Sequence, residues 1–250
     1  MPKFFVTSQS IQNNEITIIG NDVNHIKNVL RKKKGDQITI CNSDISVDYL
    51  CEIVKLEEEA IKCKIIKELA TNSESNIKVT ILQGLPKADK MELVIQKAVE
   101  LGAYDITPVE MKRCVVKLTE KDKIKKLQRW QKIAEVAAKQ SGRNRIPPIN
   151  EIKSLRNICN LCQEYDIVIV AYENEKDNKL KQELEKLKTK QTENLKMAIL
   201  IGPEGGIDNS EIELLKEKGA KIVTLGNRIL RTETVALSVL SIIMYEFEAF

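Results

Sequence analysis

Ile201-Gly202-Pro203-Glu204-Gly205-Gly206 and Leu225-Gly226-Asn227-Arg228-Ile229-Leu230-Arg231-Thr232-Glu233-Thr234 lie about twenty residues apart near the C-terminus. Each follows a short β-type run, Met197 to Ile201 and Lys221 to Leu225, and each leads into a helix pattern. Both stretches therefore sit at strand-to-helix turns, and in an open α/β sheet such turns line the ligand crevice. Glycine serves a turn where backbone must approach a ligand or adopt positive φ. A lone glycine turn is ordinary punctuation. Here two occur in tandem, and the second adds two arginines and a glutamate that a core would not accept unpaired.

Upstream of the turns, strand and helix patterns alternate. Ile77 to Gln83, Ile106 to Val109, Ile167 to Tyr172, Met197 to Ile201 and Ile222 to Leu225 read as strands. Helices are expected from Asp89, with Glu92 as a cap-like partner, to Gly102, and at about 121–140, 178–190, 209–218 and 233–248. This order predicts a largely parallel sheet covered on both faces. The last helix is apolar on nearly every side, which places it at the domain centre or against another subunit.

The first 70 residues have a different period. Lys3 to Val6, Glu15 to Ile19, Gln37 to Cys41, Val47 to Lys55 and Ile61 to Ile66 read as short strands. One helix interrupts them, capped by Asn21 or Asp22, with Val23, Ile26, Val29 and Leu30 as its apolar face. A small β-barrel over 1–71 is expected, then a linker at Thr71 to Asn76, then an α/β domain over 76–250.

The chain has 250 residues, 42% hydrophobic and 30% charged, the profile of a globular protein. Its longest apolar stretch, Val235 to Tyr245, is well below the roughly 20 residues that span a bilayer. No secretory start is visible in its first fifteen residues. A cytoplasmic location without membrane attachment is the expectation. Cys159 and Cys162 form an isolated CxxC, and His25 is the only histidine, so packed thiols are expected rather than a metal site. No P-loop occurs.

The net charge of +4 is uneven. Lys112 to Arg145 holds twelve basic and three acidic residues, a net +9 that leaves −5 for the remainder. Such a concentration suits a polyanion through counterion release. A solvated helix face would look similar.

The two C-terminal turns resemble the motifs of the RsmE family, SPOUT-type methyltransferases that methylate N3 of a uridine in small-subunit ribosomal RNA. Asn24 to Arg31 (NHIKNVLR), Lys87 to Gly102 (KADKMELVIQKAVELG) and Arg129 to Pro147 (RWQKIAEVAAKQSGRNRIP) are similar to further signatures of that family, in order along nearly the whole chain. Val235 departs from the alanine usual after Thr-Glu-Thr, and Cys41-Asn42-Ser43-Asp44 replaces a glycine-containing turn. The resemblance implies a C-terminal SPOUT-type α/β domain with a trefoil knot, preceded by a PUA- or OB-like β-barrel. It also implies S-adenosylmethionine as cofactor, a homodimer, and small-subunit ribosomal RNA or the assembled 30S particle as partner. Another base or a ribose hydroxyl as target, or an RNA-binding protein without catalysis, are the alternatives.

On that reading, Leu200, Gly202, Pro203, Gly205, Gly206, Leu225, Gly226, Ile229, Leu230 and Thr234 contact the cofactor in a tight, mainly apolar slot. Uridine N3 is a poor nucleophile while protonated. Arg231 is expected to hold charge developing on the base carbonyls with Glu233 orienting it, and Glu204 is a candidate proton acceptor. Arg231 and Glu233 could equally form a structural ion pair, and Thr232 or Thr234 a helix cap. For RNA phosphates the candidates are Arg31, Lys32, Lys87, Lys90, Arg129, Arg143 and Arg145. Trp130, in helical phase with Ile124, Leu127 and Ala134, reads as core rather than a stacking platform.

Overall fold

The computed structural model describes residues 3–70, 73–189 and 194–247, and the chain divides into two compact units, Met1–Glu74 with Ala138–Ile146, and Ser75–Ala137 with Pro147–Phe250. Thr71 and Asn72 of the expected linker, Lys190 and Glu248 at two expected helix ends, lie outside the described residues.

In the first unit the strands are β1 (Lys3–Val6), β2 (Ile11–Gln12), β3 (Glu15–Ile19), β4 (Gln37–Asn42), β5 (Val47–Leu56) and β6 (Ala60–Leu69). They form a sheet of order β1-β4-β5-β6-β3-β2. β1 and β4 pair in parallel and the other neighbours antiparallel. Phe4 of β1 and Ile16 and Ile18 of β3 share one buried cluster with Ile38, Ile40, Ile53 and Ile61. Strands near opposite ends of the ladder thus bury a common core, as in a PUA-like sheet curled on itself. The helix α1 (Asn21–Asn24) continues into a π-type turn at His25–Val29, with Val23 and Ile26 buried beneath it. Neither Asn21 nor Asp22 caps it; the cap position is Gly20, and the Asp22 carboxylate instead accepts from Lys139 Nζ at 2.9 Å. Cys41 and Asn42 are not loop residues but the buried end of β4.

Residues 138–146 belong to this unit through buried polar contacts. Lys3 Nζ lies 2.7 Å from Asp48 Oδ2 and donates to the carbonyls of Gly142 and Arg143. Arg143 pairs with Glu74 through Nε (3.1 Å to Oε1) and Nη2, and Asn144 N donates to the same carboxylate at 3.0 Å.

The second unit carries an all-parallel sheet of order β12-β10-β11-β7-β8-β9, from β7 (Lys78–Gly84), β8 (Asp105–Glu110), β9 (Lys153–Ser154), β10 (Ile167–Ala171), β11 (Lys196–Ile201) and β12 (Lys221–Val223). β7, β10 and β11 are buried on both faces, which is why they read as continuous apolar runs. The helices are α2 (Lys90–Glu100), α3 (Glu120–Ser141, whose residues from Ala138 on belong to the first unit), α4 (Leu155–Leu161), α5 (Leu180–Lys188), α6 (Asn209–Glu217) and α7 (Thr232–Phe247). Asp89 occupies the cap position of α2 without a side-chain cap bond. The Glu92 carboxylate turns to Arg129 on α3, with Nε 2.7 Å from Oε1. Trp130 and Ala134 are buried on α3, whereas Ile124 is exposed.

The helix α7 packs on α2, β7 and β11, burying Ala236, Val239, Leu240, Ile243 and Met244. Ile242 and Tyr245 remain 43% and 78% exposed.

Candidate functional site

Because β7, β10, β11 and β12 are neighbours running in one direction, the turns at their C-terminal ends gather along one edge. Gly84 ends β7 and Leu85 follows it, Tyr172 and Glu173 follow β10, and the two glycine turns follow β11 and β12. Contacts within the edge are close. A Cβ on Gly84 would stand 2.8 Å from the ring of Pro203, and one on Gly202 would stand 2.8 Å from Ile207 Cγ1. Gly206 has φ of +72° and closes the turn by donating its N–H to Pro203 O at 2.9 Å. A Cβ there would collide with the Glu173 carboxylate. Gly205 lies against the backbone of Arg113, whose Nη1 donates to Gly205 O at 3.3 Å.

After this turn, Asp208 caps α6, accepting from Ser210 N at 3.1 Å, while Glu211 reaches back to Asp208 N. Glu211 also accepts from Lys112 N at 2.9 Å, which ties the segment after β8 to the first turn.

The second turn is more open. Gly226 has φ of +110° with open space where a Cβ would point, and Ile229 is 86% exposed. Leu225 and Leu230 are half-buried, while Gly226 and Thr234 are exposed. Pro203 is buried against Gly84, and Leu200 is wholly buried inside β11. Leu200 therefore supports the turn from below and presents no surface to a ligand.

Four expected site residues meet. Glu204 accepts the Lys87 N–H at 3.0 Å and lies 2.9 Å from Lys90 Nζ. Lys90 Nζ is in turn 3.7 Å from Glu233 Oε2, a buried oxygen that accepts no hydrogen bond. Partial burial raises the Glu204 pKa, but Lys90 and the Glu204 and Lys87 backbone N–H groups outweigh it and hold the carboxyl below its usual range. The Lys90 pKa is pushed up, chiefly by its hydrogen bond to Glu204. Among the described residues no ion pair joins Glu233 to Arg231; the cation nearest Glu233 is Lys90. Arg231 is exposed.

Thr232 and Gln83 also belong to this edge. The Thr232 hydroxyl donates to Gly202 O at 2.7 Å and accepts from Gln83 Nε2 at 2.8 Å. Thr232 is thus a bridge between the turns rather than a helix cap. Nothing near Gln83 in sequence announces this, although a glutamine ending an apolar strand was the available signal.

The phosphate candidates divide. Lys87 and Arg31 have exposed side chains, Arg31 on a backbone with φ of +53°. The Lys32 ammonium is 3.4 Å from Gln37 O, and Arg145 is half-buried. Arg129 is exposed but held bidentately by Glu92. Arg143 is only 4% exposed and locked to Glu74, so it is a structural residue and not a surface cation for RNA. A groove of about 710 Å³ between α2 and α3, with Lys125, Arg129 and Lys132 around Leu93, Ile133 and Val136, includes none of the turn residues. Cys159 and Cys162 are buried free thiols; burial pushes Cys159 up to about 11.

Residues 73–244 match the family described as an RNA methyltransferase domain, and residues 18–66 match an RNA methyltransferase PUA domain. The chain is 38% identical to ribosomal RNA small subunit methyltransferase E of Bacillus subtilis (strain 168), over 99% of this chain and 98% of that protein. It is 34% identical to the protein of the same name from Mesomycoplasma hyopneumoniae (strain 232), over 96% and 98%. Among solved structures, ribosomal RNA small subunit methyltransferase E from Neisseria gonorrhoeae bound to S-adenosyl methionine superposes with a TM-score of 0.85 at 31% identity, covering 98% of this chain and 97% of that one.

Proposed function

The chain belongs to the ribosomal RNA small subunit methyltransferase E family, and from that premise we propose that it transfers a methyl group from S-adenosylmethionine to N3 of one uridine in small-subunit ribosomal RNA. The observation that carries this reading is the meeting of two glycine turns, joined through Thr232 and Gly202, beside the Lys90, Glu204 and Glu233 cluster.

These residues fit the cofactor. Gly226 leaves room beside the second turn, Ile229 offers uncovered apolar surface, and Glu233 Oε2 is an acceptor without a donor. Gly202, Gly205, Gly206, Leu225 and Leu230 would frame the slot. Bound S-adenosylmethionine supplies an electrophilic methyl group, and the protein supplies orientation and electrostatics.

For the base, N3 must lose its proton as it gains the methyl group. Arg231, exposed at the start of α7, would stabilise negative charge on the uracil carbonyls. Glu204, depressed in pKa and engaged by Lys87 and Lys90, has little driving force as proton acceptor. Glu233 is the other carboxylate of the cluster, and we assign the N3 proton to its partly exposed side chain. Lys90 then keeps both carboxylates in place rather than gripping phosphate.

Lys121, Lys125 and Lys132, exposed on α3, are the cations best placed for the RNA backbone there, with Arg31 and Lys87 elsewhere. The apolar, partly uncovered α7 supports a homodimer through Ile242 and Tyr245. β11 lies between β7 and β10, with β12 beyond β10, an order that suits a chain threaded after Gly206 into a trefoil knot. The substrate would be the RNA as presented in the 30S particle. No helix among the described residues is long and apolar enough to cross a membrane.

Mapping modified uridines in ribosomal RNA from cells with and without the gene tests this reading. Loss of N3-methyluridine at one small-subunit position is expected; an unchanged map would overturn it.

A further inference from the structure

Gln83 is an anomaly of its strand, where it is the last residue but one. The five residues Val79 to Gln83 of β7 are all buried, and Gln83 is 0% exposed. Its Oε1 has no hydrogen-bond partner, a condition that costs stability in a core, and a leucine there would carry no such penalty. What the glutamine provides is on its other side: Nε2 donates to Thr232 Oγ1 at 2.8 Å and to Gly84 O at 3.0 Å.

The polarity of the chain of bonds is fixed by elementary accounting. Gly202 O can only accept, so the single hydroxyl proton of Thr232 goes to it, at 2.7 Å. The hydroxyl oxygen is then left to accept, and the amide Nε2 can only donate. The reverse amide orientation would set two acceptors, Gln83 Oε1 and Gly84 O, against each other. One direction alone, from Gln83 through Thr232 to Gly202, satisfies all three groups.

This relay joins three segments of the edge. Thr232 is 149 positions from Gln83 and 30 from Gly202. Gly202 is closely packed, with Ile207 Cγ1 2.8 Å from where a Cβ would stand, so fixing its carbonyl fixes the plane from which Pro203 and Glu204 continue. At its other end Thr232 lies between Arg231 and Glu233, and a locked hydroxyl sets the phase in which those two side chains leave α7.

We propose that Gln83 is a positioning residue for methyl transfer: through Thr232 it holds the cofactor turn at Gly202 and the Arg231–Glu233 pair in mutual register. The inference rests on the functional reading above, because it presumes that the two turns hold the methyl donor and that Arg231 meets the base. It predicts a separation of stability from activity that a packing role would not give. Gln83→Leu removes the orphaned oxygen and the relay donor together.

The test compares Gln83→Leu, Thr232→Val and Thr232→Ser with the unaltered protein by thermal melting, S-adenosylmethionine calorimetry and single-turnover methylation of small subunits lacking the modification. Gln83→Leu, which loses the orphaned oxygen together with the bonds to Thr232 and Gly84 O, should melt near the unaltered temperature while its turnover at saturating cofactor and RNA falls about 10- to 100-fold, the scale expected of a misplacement near 1 Å. Thr232→Val should lose turnover similarly, and Thr232→Ser, which keeps the hydroxyl, should recover most of it. Unaltered turnover in Gln83→Leu and Thr232→Val would overturn the inference while leaving the methyltransferase reading intact. So would a loss of turnover in Gln83→Leu that tracks a fall in melting temperature. If the unaltered protein itself neither binds S-adenosylmethionine nor methylates the subunit, the functional reading fails, and the inference with it.

Discussion

Lys90 Nζ stands 2.9 Å from Glu204 Oε1, so the glutamate of the first glycine turn is held as a carboxylate by a lysine from the start of α2. Partial burial opposes ionisation, yet the net effect is a lowered pKa. A depressed carboxyl contributes stability above its unfolded pKa and loses that contribution as pH falls through its folded value. The Glu204 carboxyl, followed by carbon NMR, should therefore titrate below the usual value of about 4.3. In Lys90→Met the midpoint should rise, because burial remains while the ammonium is gone. An unchanged midpoint would show that Lys90 does not control the group.

Gly206→Ala should weaken S-adenosylmethionine binding. The backbone at +72° costs an L-residue about 1–2 kcal/mol, and the new methyl group meets Glu173. Denaturant titration should register a loss of about 1–2 kcal/mol from the backbone, and calorimetry a weaker binding of S-adenosylmethionine as the displaced Glu173 disturbs the turn. Adding Glu173→Ala should recover the part due to collision and leave the part due to backbone strain.

Arg143→Ala should destabilise the protein by about 1.5–3 kcal/mol, since it removes the charge-assisted bonds that Arg143 gives the Glu74 carboxylate while the Asn144 N–H remains. Denaturant titration checks the magnitude. RNA affinity measured well below the melting transition should change little, which separates Arg143 from the exposed lysines of α3.

Neutralising Lys121, Lys125 and Lys132 together should lower the slope of log affinity against log salt by about 2, the single-strand value for three phosphate contacts. Arg231→Ala should leave that slope intact and reduce turnover at saturating RNA, because its partner is charge that develops in the transition state. Filter binding and single-turnover assays on the same preparations distinguish the two.

Leu240 is fully buried in its own subunit, so Leu240→Arg should unfold the domain rather than merely separate two subunits. Tyr245→Glu with Ile242→Glu should instead give a folded monomer, by light scattering alongside calorimetric melting. A dimer that survives both changes would move the interface elsewhere.

The elements were legible where their pattern is local. The alternation in β3 and β5 and the continuous apolar runs of β7, β10 and β11 mark both sheets, because burial on one face or two imposes those periods. The short helix α4 gave little periodicity to detect. The glycine turns were legible as turns, but their internal contacts were not. That Thr232 bonds Gly202, and that Glu233 faces Lys90 instead of Arg231, depends on partners brought in by the sheet order. Arg143 misled for the same reason: a basic run looks solvated until Glu74, 69 positions away, is placed against it.

Methyl transfer can be followed by incubating the purified protein with methyl-labelled S-adenosylmethionine and small ribosomal subunits lacking the modification, then digesting the RNA and resolving its nucleosides by mass spectrometry. Label in N3-methyluridine, at one position and approaching one methyl group per subunit, is the predicted result. Label in another base or in a ribose, or no label from a protein that binds the cofactor, would contradict it.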